Sequence, residues 1–546
     1  MGKAAELAGT KSTKPPPPVH RGSGRSMRAQ NGAQHGRPGG AWDEDPTRTE
    51  GKGRGALQES EGPIVPVKRG NARGGKGPWF RVLREEWTSG RLAMSLTPEV
   101  TKLGELRGKL YSKAKTEPTF RFYALYDKVY RWDVLTAALR LSREKNGAPG
   151  VDGKTFDQIR EYGEERWLQE LQQELQEKTY RPQPVRRVLI PKPGGGERPL
   201  GIPTIKDRVA QTAAKLILEP IVEADLCDTA YGYRPERGAI RAVQEVHREL
   251  RRRRTEVVDA DLSKYFDTIP HAELMTCLAR RVADAAMLHL VKMWLKVPVE
   301  ERDEQGRPRY SGGKRSKCGT PQGGVISPLL ANIYINRMLK AFDKSDLMKR
   351  CGARIVSYAD DFVVLCKHSA AVVLAQVRRW IVGMKLMLNE AKTCLRNAWK
   401  ESFRFLGYEF GPLVYRPTRT RYLGARPSKK AMEKVRKRVS EILWRGRTER
   451  WKDICRELNQ YLTGWAAYFA YDTAYPSFRL VDIHVAARTR NFLRRRHKLP
   501  SGTARFGYVE VHRDLDVVEL RSLLRRMPSS EICPRAGCEK SARPVR

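Results

Sequence analysis

The sequence predicts an α+β fold followed by a helical domain, with a disordered basic tail in front. Three features predict it. Strand-like and helix-like stretches alternate irregularly from about residue 185 to Gly407, without a βαβ period. Apolar residues after Pro427 recur at helical spacing. Residues 1–78 carry almost no apolar periodicity, hold a four-proline run from Pro15 to Pro18, and repeat Gly-Arg and Gly-Lys pairs. Such a segment cannot bury enough surface to offset its ordering entropy. It is either an electrostatic arm for a polyanion or sequence with no selected role.

At 546 residues the chain has room for about three or four folding units. Lys and Arg number 104 against 62 Asp and Glu, a formal charge of +42. That surplus repels itself unless a polyanion neutralises it, so nucleic acid is the default partner and an anionic membrane surface the runner-up. No run approaches the ~18 apolar residues that a spanning helix needs, and the N-terminus lacks the apolar core of a secretory signal. The 9 cysteines are scattered from Cys227 to Cys538 without a CxxC pair. This argues against a disulfide framework or a zinc ribbon and suits a reducing cytoplasm. Cys533 and Cys538 have the widest spacing a zinc pair tolerates but no second pair, and are read as free thiols.

Globular character begins near Leu96. Apolar residues at helical spacing cover Leu103 to Leu110 and Phe122 to Leu139, and the loop residues from Asn146 to Gly153 end that pattern. A helix around Trp167 to Leu175 leads into a short strand, Val185 to Lys192. Beyond Pro427, Ala431, Val435, Val439 and Ile442 share one helical stripe, while Lys429, Lys430, Lys434, Arg436, Lys437 and Arg438 occupy the others. Trp451, Ile454, Leu458, Leu462, Trp465 and Phe469 continue the period, and Arg494, Arg495 and Arg496 crowd the end of a basic helix from Arg488 to Lys498. A solvated bundle would also look like this. The excess of cations over acids favours a surface that grips a phosphate backbone.

The sharpest chemical signal is Tyr358-Ala-Asp-Asp361 between two β-branched runs, which puts the four residues at a hairpin tip. Adjacent carboxylates there repel each other, and a bridging divalent cation removes that cost; oxygen-only ligands suit Mg²⁺. A polar turn with two exposed acids is the simpler alternative. A third acid favours the metal: Val257-Val-Asp-Ala-Asp261 is an apolar strand start, and two-metal phosphoryl transfer needs a carboxylate from a second strand. Asp261 at the strand end is the candidate. Asp259, which shares its face, and Asp267, which could cap the next helix, compete with it.

Two loops make sense beside these acids. Ile190 to Pro203 sets Lys192 and Arg198 on either side of a triple-glycine turn, where both cations can reach a triphosphate, or where they are incidental charges on a flexible loop. Gly319-Thr-Pro-Gln-Gly323 offers a bare backbone that a nucleotide or template strand can approach, or simply caps the helix that follows.

Taken in order, these elements resemble the reverse transcriptase–maturases encoded within bacterial group II introns. The resemblance is carried by Gly147 to Gly153, Ile190-Pro-Lys192 with Arg198-Pro-Leu200, Tyr231-Gly-Tyr-Arg-Pro235, Asp261 with Tyr265-Phe266, Thr320-Pro-Gln-Gly323, and Tyr358 to Asp361. Leu388-Asn389 with Lys392-Thr393, Phe405-Leu-Gly407, Arg426 to Lys430 and Tyr461 to Phe469 complete it, over about Leu96 to Arg505. It implies a right-hand polymerase with fingers, a palm with an antiparallel sheet, and a helical thumb and maturase domain. The implied divisions are a tail at 1–78, N-terminal extension and fingers at 79–250, palm at 251–412, thumb and maturase at 413–505, and a short tail at 506–546 with a possible remnant DNA-binding region.

The same resemblance implies that Asp261, Asp360 and Asp361 hold two Mg²⁺ ions and that Lys192 and Arg198 bind the incoming triphosphate. Tyr265 or Phe266 would pack on the sugar and exclude a 2′-hydroxyl; Phe266 is preferred because it lies five residues past Asp261. Gln322 would line the nucleotide pocket, and Arg234, Gly323, Tyr358 and Lys392 would contact template and primer. Lys429, Lys430, Lys434, Lys437 and Arg494 to Arg496 would bind RNA. The implied partners are a group II intron RNA, an RNA template with a DNA primer, deoxynucleoside triphosphates and a DNA target, in a cytoplasm where the protein joins the nucleoid when on DNA.

Two departures stand out. The family's Gly-Leu before Leu-Asn is Lys385-Leu386 here, which loosens the Lys392 assignment. Only about twenty residues follow Met527, too few for the HNH-type nuclease of some relatives, so mobility would need another source of primer. Competing readings are a splicing cofactor with a vestigial polymerase, which would be expected to lose the metal-binding acids, and a reverse transcriptase of a defence or diversity-generating system. The helical segment from Pro427 to Lys498 argues against the latter.

Overall fold

The computed structural model describes residues 98–191, 197–415, 417–500 and 505–526, all within one compact unit. The tail at 1–78, Lys192 with its triple-glycine turn, and Cys533 and Cys538 lie outside the described residues. The hub of the first half is the helix Ile205–Asp225, opened by Thr204, whose hydroxyl accepts from the Asp207 amide. It is buried on nearly every side: Val209, Ala213, Ile217 and Ile221 are fully buried, and the buried polar groups among them are partnered, Asp207 with Tyr180 and Thr204, and Glu219 with Arg107. The helices Pro98–Thr116 and Trp132–Glu144 pack against it.

The helical stretch expected from Phe122 to Leu139 is interrupted. Phe122 lies in an extended segment, its amide donating to the Arg281 carbonyl at 2.7 Å. The Asp284 carboxylate then accepts from the Leu125 and Tyr126 amides at 2.7 Å each. Asp284 thereby satisfies donors that a continuous helix would have used, so helices form only at Tyr126–Val129 and Trp132–Glu144.

Three sheets follow. β1 (Val185–Pro191) and β2 (Glu197–Ile202) form an antiparallel hairpin that extends through β4 (Pro298–Arg302) and β5 (Pro308–Gly312) in the order β2-β1-β4-β5. β3 (Glu256–Asp261), β6 (Arg354–Tyr358), β7 (Asp361–Cys366) and β8 (Cys394–Asn397) form the central sheet, ordered β6-β7-β3-β8. β9 (Phe403–Phe405), β10 (Tyr408–Tyr415) and β11 (Thr420–Pro427) make the third, ordered β11-β10-β9.

Apolar residues cover the central sheet on both faces. Val258, Ala260, Phe362 and Val364 join one hydrophobic core with the N-terminal helices. Val257, Val356, Val363 and Leu365 join a second core shared with the C-terminal helices. Double burial explains why these strands read as near-continuous apolar runs, and the strand period of two puts Asp259 and Asp261 on the second face.

The second core closes with helices Lys429–Ile442, Trp451–Phe469 and Tyr475–Arg496. It does not end at residue 505. Helices Tyr508–Arg513 and Leu520–Arg526 dock on Tyr475–Arg496, burying Val511, Val517 and Leu520. The Asp482 carboxylate anchors them by accepting from the Leu520 amide at 2.8 Å. Within the segment expected as a C-terminal tail, residues 506–526 therefore pack into the second core.

Candidate active site

The β6–β7 hairpin carries the first two acids. Tyr358 pairs with Asp361, leaving only Ala359 and Asp360 in the turn, and Ala359 adopts φ +60° as such tight turns require. Across the sheet, Asp261 pairs directly with Asp361 in the antiparallel β3–β7 register. Paired positions share a face with Cβ atoms about 5 Å apart, an arrangement that is unfavourable for like charges. Asp361 keeps a route to solvent, yet protein surrounds it on most sides. Desolvation, then repulsion from Asp360 and Asp261, raises its carboxyl to about 6. Burial raises Asp360 as well, with Asp261 adding to it and Arg198 opposing it.

The loop after Leu386 supplies a counter-charge. The Asn389 amide donates to the Asp261 carbonyl at 2.8 Å, and its side-chain Nδ2 to Asp261 Oδ2 at 3.2 Å. Lys392 Nζ sits 2.6 Å from the same Oδ2. That hydrogen bond leads the causes that hold the ammonium above its usual range. Among the described residues no three His, Cys, Asp or Glu side chains already converge as a metal cage. The acids fit a divalent cation nonetheless. All their donors are hard oxygens, two carboxyls are raised by burial with acidic neighbours adding to it, and the third has recruited a cation from the chain. Asp259 lies one step further into the sheet, opposite Val363 and Cys394. Burial lifts it to about 6, and Arg396 partly offsets this.

Two loops are fitted against these strands. Tyr231 donates its amide to the Ser357 carbonyl at 2.8 Å, and Asn332 Nδ2 holds the Gly232 carbonyl at 2.8 Å. The loop at Thr320–Gly323 is tied to the segment after Asp261, with the Thr320 amide donating to the Phe266 carbonyl at 2.7 Å. On its other side the Gly201 amide of β2 donates to the Gln322 carbonyl at 2.5 Å. A Cβ on Gly323, at φ +107°, would meet the Gly201 oxygen at 2.0 Å, so only glycine allows that approach. Gln322 Nε2 donates to both Asp267 oxygens at 2.9 and 3.0 Å. Asp267 is thus neither a helix cap nor a partner of the other acids; it orients Gln322.

The two aromatic candidates differ. Tyr265 is buried and its hydroxyl donates to the Ala331 carbonyl at 2.6 Å. Phe266 meets the Tyr233 ring edge-on at 6.2 Å, and Tyr233 itself feels the charges of Asp360 and Arg198. Tyr233, Asn389 and Gly232 carry no individual role in the sequence, although all three lie inside the motifs that carry the family resemblance; Asp267, which competes there with Asp261, serves Gln322 instead.

Arg234 requires a correction. Expected to contact template, its side chain is 3% exposed and spends its donors internally, on Glu223 at 2.7 Å and on the Cys227 and Ala230 carbonyls at 2.7 and 2.8 Å. It braces the loop from within. In the helical domain, Lys429, Lys430, Lys434 and Lys437 are exposed along one helix, as is Arg495 at the end of another. Arg494 and Arg496 instead turn onto carbonyls, Arg494 onto Pro500 and Arg496 onto Glu449 and Thr448.

Comparison with known proteins agrees with this architecture. Residues 190–410 match the reverse transcriptase (RNA-dependent DNA polymerase) family, and residues 432–507 the group II intron maturase-specific domain. Protein YkfC of Escherichia coli is 34% identical over 384 residues, 63% of this chain and 97% of its own length. The group II intron-encoded protein LtrA of Lactococcus lactis is 30% identical over 350 residues, 53% of this chain and 56% of LtrA. A putative COX1/OXI3 intron 1 protein of Saccharomyces cerevisiae is 25% identical over 344 residues, 53% of this chain and 40% of that protein. The chain thus spans just over half of LtrA. With a reverse transcriptase fold leading into a maturase domain, the chain belongs to the reverse transcriptase–maturases encoded by group II introns, RNA-directed DNA polymerases that assist the splicing of their intron.

Proposed function

We propose that this chain extends a DNA primer on an RNA template with two Mg²⁺ ions held by Asp261, Asp360 and Asp361, and that it serves the splicing and mobility of its own intron RNA. The observation that carries the reading is the Asp261–Asp361 cross-strand pair with Asp360 in the adjoining turn. Bound there, the ions would supply an activated 3′-hydroxyl and neutralise the triphosphate. The remaining work falls to side chains. Arg198, close enough to lower Asp360, offers a forked donor to the triphosphate, joined by Lys192. With a metal held by Asp261, Lys392 would be free to turn its ammonium toward primer or phosphate. Phe266, backed by Tyr233, closes the sugar side, and Gln322, held by Asp267, lies against the nucleotide beside Gly323, with Tyr358 at the primer end.

Fingers up to about residue 250, a palm over 251–412 and a thumb and maturase domain over 413–526 are the corresponding divisions. Lys429, Lys430, Lys434, Lys437 and Arg495 present cations to the intron backbone, a salt-sensitive grip. The DNA target and the deoxynucleotides are the partners the chemistry requires. No helix among the described residues is long and apolar enough to cross a membrane. The test is primer extension on an RNA template with Mg²⁺. Asp361→Asn should lower the rate on the order of 10³-fold, since metal charge stabilisation is worth several kcal/mol. Equal rates for variant and parent would overturn the reading.

A further inference from the structure

A cleft of about 810 Å³ shares none of its lining with the carboxylate site. The two are neighbours all the same: Tyr231 lines the cleft, and Gly232, the next residue, abuts the turn that carries Asp360. Most charges in its walls are spent on one another. Arg107 donates to Glu219 at 2.9 Å and Arg237 to Asp228 at 2.7 Å, while Arg234, behind the wall, takes up Glu223.

Three groups are not spent. Glu245 is 5% exposed; Arg248 satisfies Oε2, but Oε1 has no hydrogen-bond partner, the Arg354 guanidinium standing 3.8 Å away. The exposed Arg241 side chain makes no ion pair with a described acid, and the Tyr231 hydroxyl makes no hydrogen bond to a described residue. A buried carboxylate oxygen without a donor is costly. It calls for an occupant that brings one.

The occupant must satisfy opposite demands within one cleft: a donor for Glu245, negative charge for Arg241 and Arg354, and a flat face for the Tyr111 and Tyr231 rings that share the lining. A bare phosphate would set an anion against Glu245. A basic peptide would meet the guanidinium groups of Arg241 and Arg354. A nucleotide meets all three demands, and the volume is within the range of about 300–1,000 Å³ for small-molecule sites.

We propose that this cleft is a nucleotide-binding site separate from the polymerase centre, taking a nucleoside monophosphate unit, either free or as an unstacked residue of RNA. Its base edge donates to Glu245 Oε1, its ring lies beside Tyr231, where the Arg237 guanidinium stands 5.8 Å from the ring centre, and its phosphate reaches Arg241 and Arg354. Unstacked bases held by aromatic and guanidinium planes are a general mode of RNA recognition.

The experiment titrates the full chain, in EDTA so that metal-dependent binding at the carboxylates is silent, with guanosine 5′-monophosphate, ribose 5-phosphate and a single-stranded RNA heptamer. Saturable binding of the mononucleotide or the heptamer is expected, weakened about tenfold by Arg354→Ala, Arg241→Ala or Glu245→Gln, the loss of one charge-assisted contact. It should be unchanged by Arg198→Ala in the polymerase site. Whichever of the two ligands binds more tightly identifies the source. Absence of saturable binding, indifference to all three cleft substitutions, loss in Arg198→Ala, or ribose 5-phosphate binding as tightly as the nucleotide would each overturn the proposal. Arg241 and Arg354 reach solvent, so their truncation leaves the fold intact.

Discussion

Gly232 and Ala359 meet backbone to backbone: a Cβ on Gly232 would lie 2.3 Å from the Ala359 nitrogen. Ala359 is the first residue of the turn that carries Asp360, and Asn332 clamps Gly232 from the other side. The height of the acidic turn is therefore fixed by the absence of a side chain one loop away.

Gly232→Ala should push the turn outward. Overpacking of this kind costs about 1–3 kcal/mol of stability, and a shift of about 1 Å at reacting groups costs on the order of 10²-fold in rate. Primer-extension kinetics should show kcat falling while the template KM stays near the parent value. A parent-like kcat would mean that the turn does not depend on this contact.

Arg234 separates two roles that the sequence could not. With its guanidinium bound to Glu223 and two carbonyls, Arg234→Ala strands those acceptors. Breaking a buried pair costs about 3–5 kcal/mol, less here because the Glu223 side chain is 22% exposed and water screens it. Chemical denaturation should show the loss, while template KM well below the unfolding temperature stays unchanged. A raised template KM in a stable variant would restore Arg234 to the template.

These two residues show what was legible. The β6–β7 hairpin and its acids could be read because apolar runs on both sides mark strands and the turn between them is local. That Gly232 belongs to a motif was visible, but its reason was not, since Ala359 lies more than a hundred positions on. The same holds for Lys392, whose partner Asp261 is 131 positions away, and for the interruption before Tyr126, imposed by Asp284 159 positions after Leu125. Local pattern gives elements; contacts between distant segments decide where they stop and which charged groups are spent.

Tyr265 and Phe266 can be told apart by substrate choice. Phe266→Ala removes the ring that meets Tyr233 and should admit ribonucleotides alongside deoxynucleotides. Tyr265→Phe removes only the bond to the Ala331 carbonyl, costing about 1–2 kcal/mol of stability with sugar discrimination kept. Competitive incorporation of the two nucleotide types checks both at once; the reverse outcome would hand the role to Tyr265.

Gln322 depends on Asp267 in the same way. Two hydrogen bonds from Nε2 fix the side-chain amide, so Gln322→Glu sets one carboxylate against another and expels the side chain from its seat. Nucleotide KM should rise by about tenfold, the worth of a charged hydrogen bond, and Asp267→Asn in the same chain should recover part of it. A double-mutant cycle measures that recovery, and no coupling between the two positions would show that Asp267 does not set Gln322.

The last pair of helices gives a prediction that separates the two halves of the chain. Leu520 is fully buried, and its amide is held by Asp482. Leu520→Ala should cost about 2–5 kcal/mol, as for a large-to-small change in a packed core. The loss is borne by helices of six and seven residues, too short to persist without their docking. Protease should then cut between residues 505 and 526 while the central sheet stays resistant. Primer extension should survive and assistance to intron splicing should fall, because the site with Asp261 and Asp361 draws on the sheet, whereas the exposed lysines of the helical domain depend on how its helices stack. Loss of both activities in parallel would mean that the C-terminal helices support the polymerase core as well.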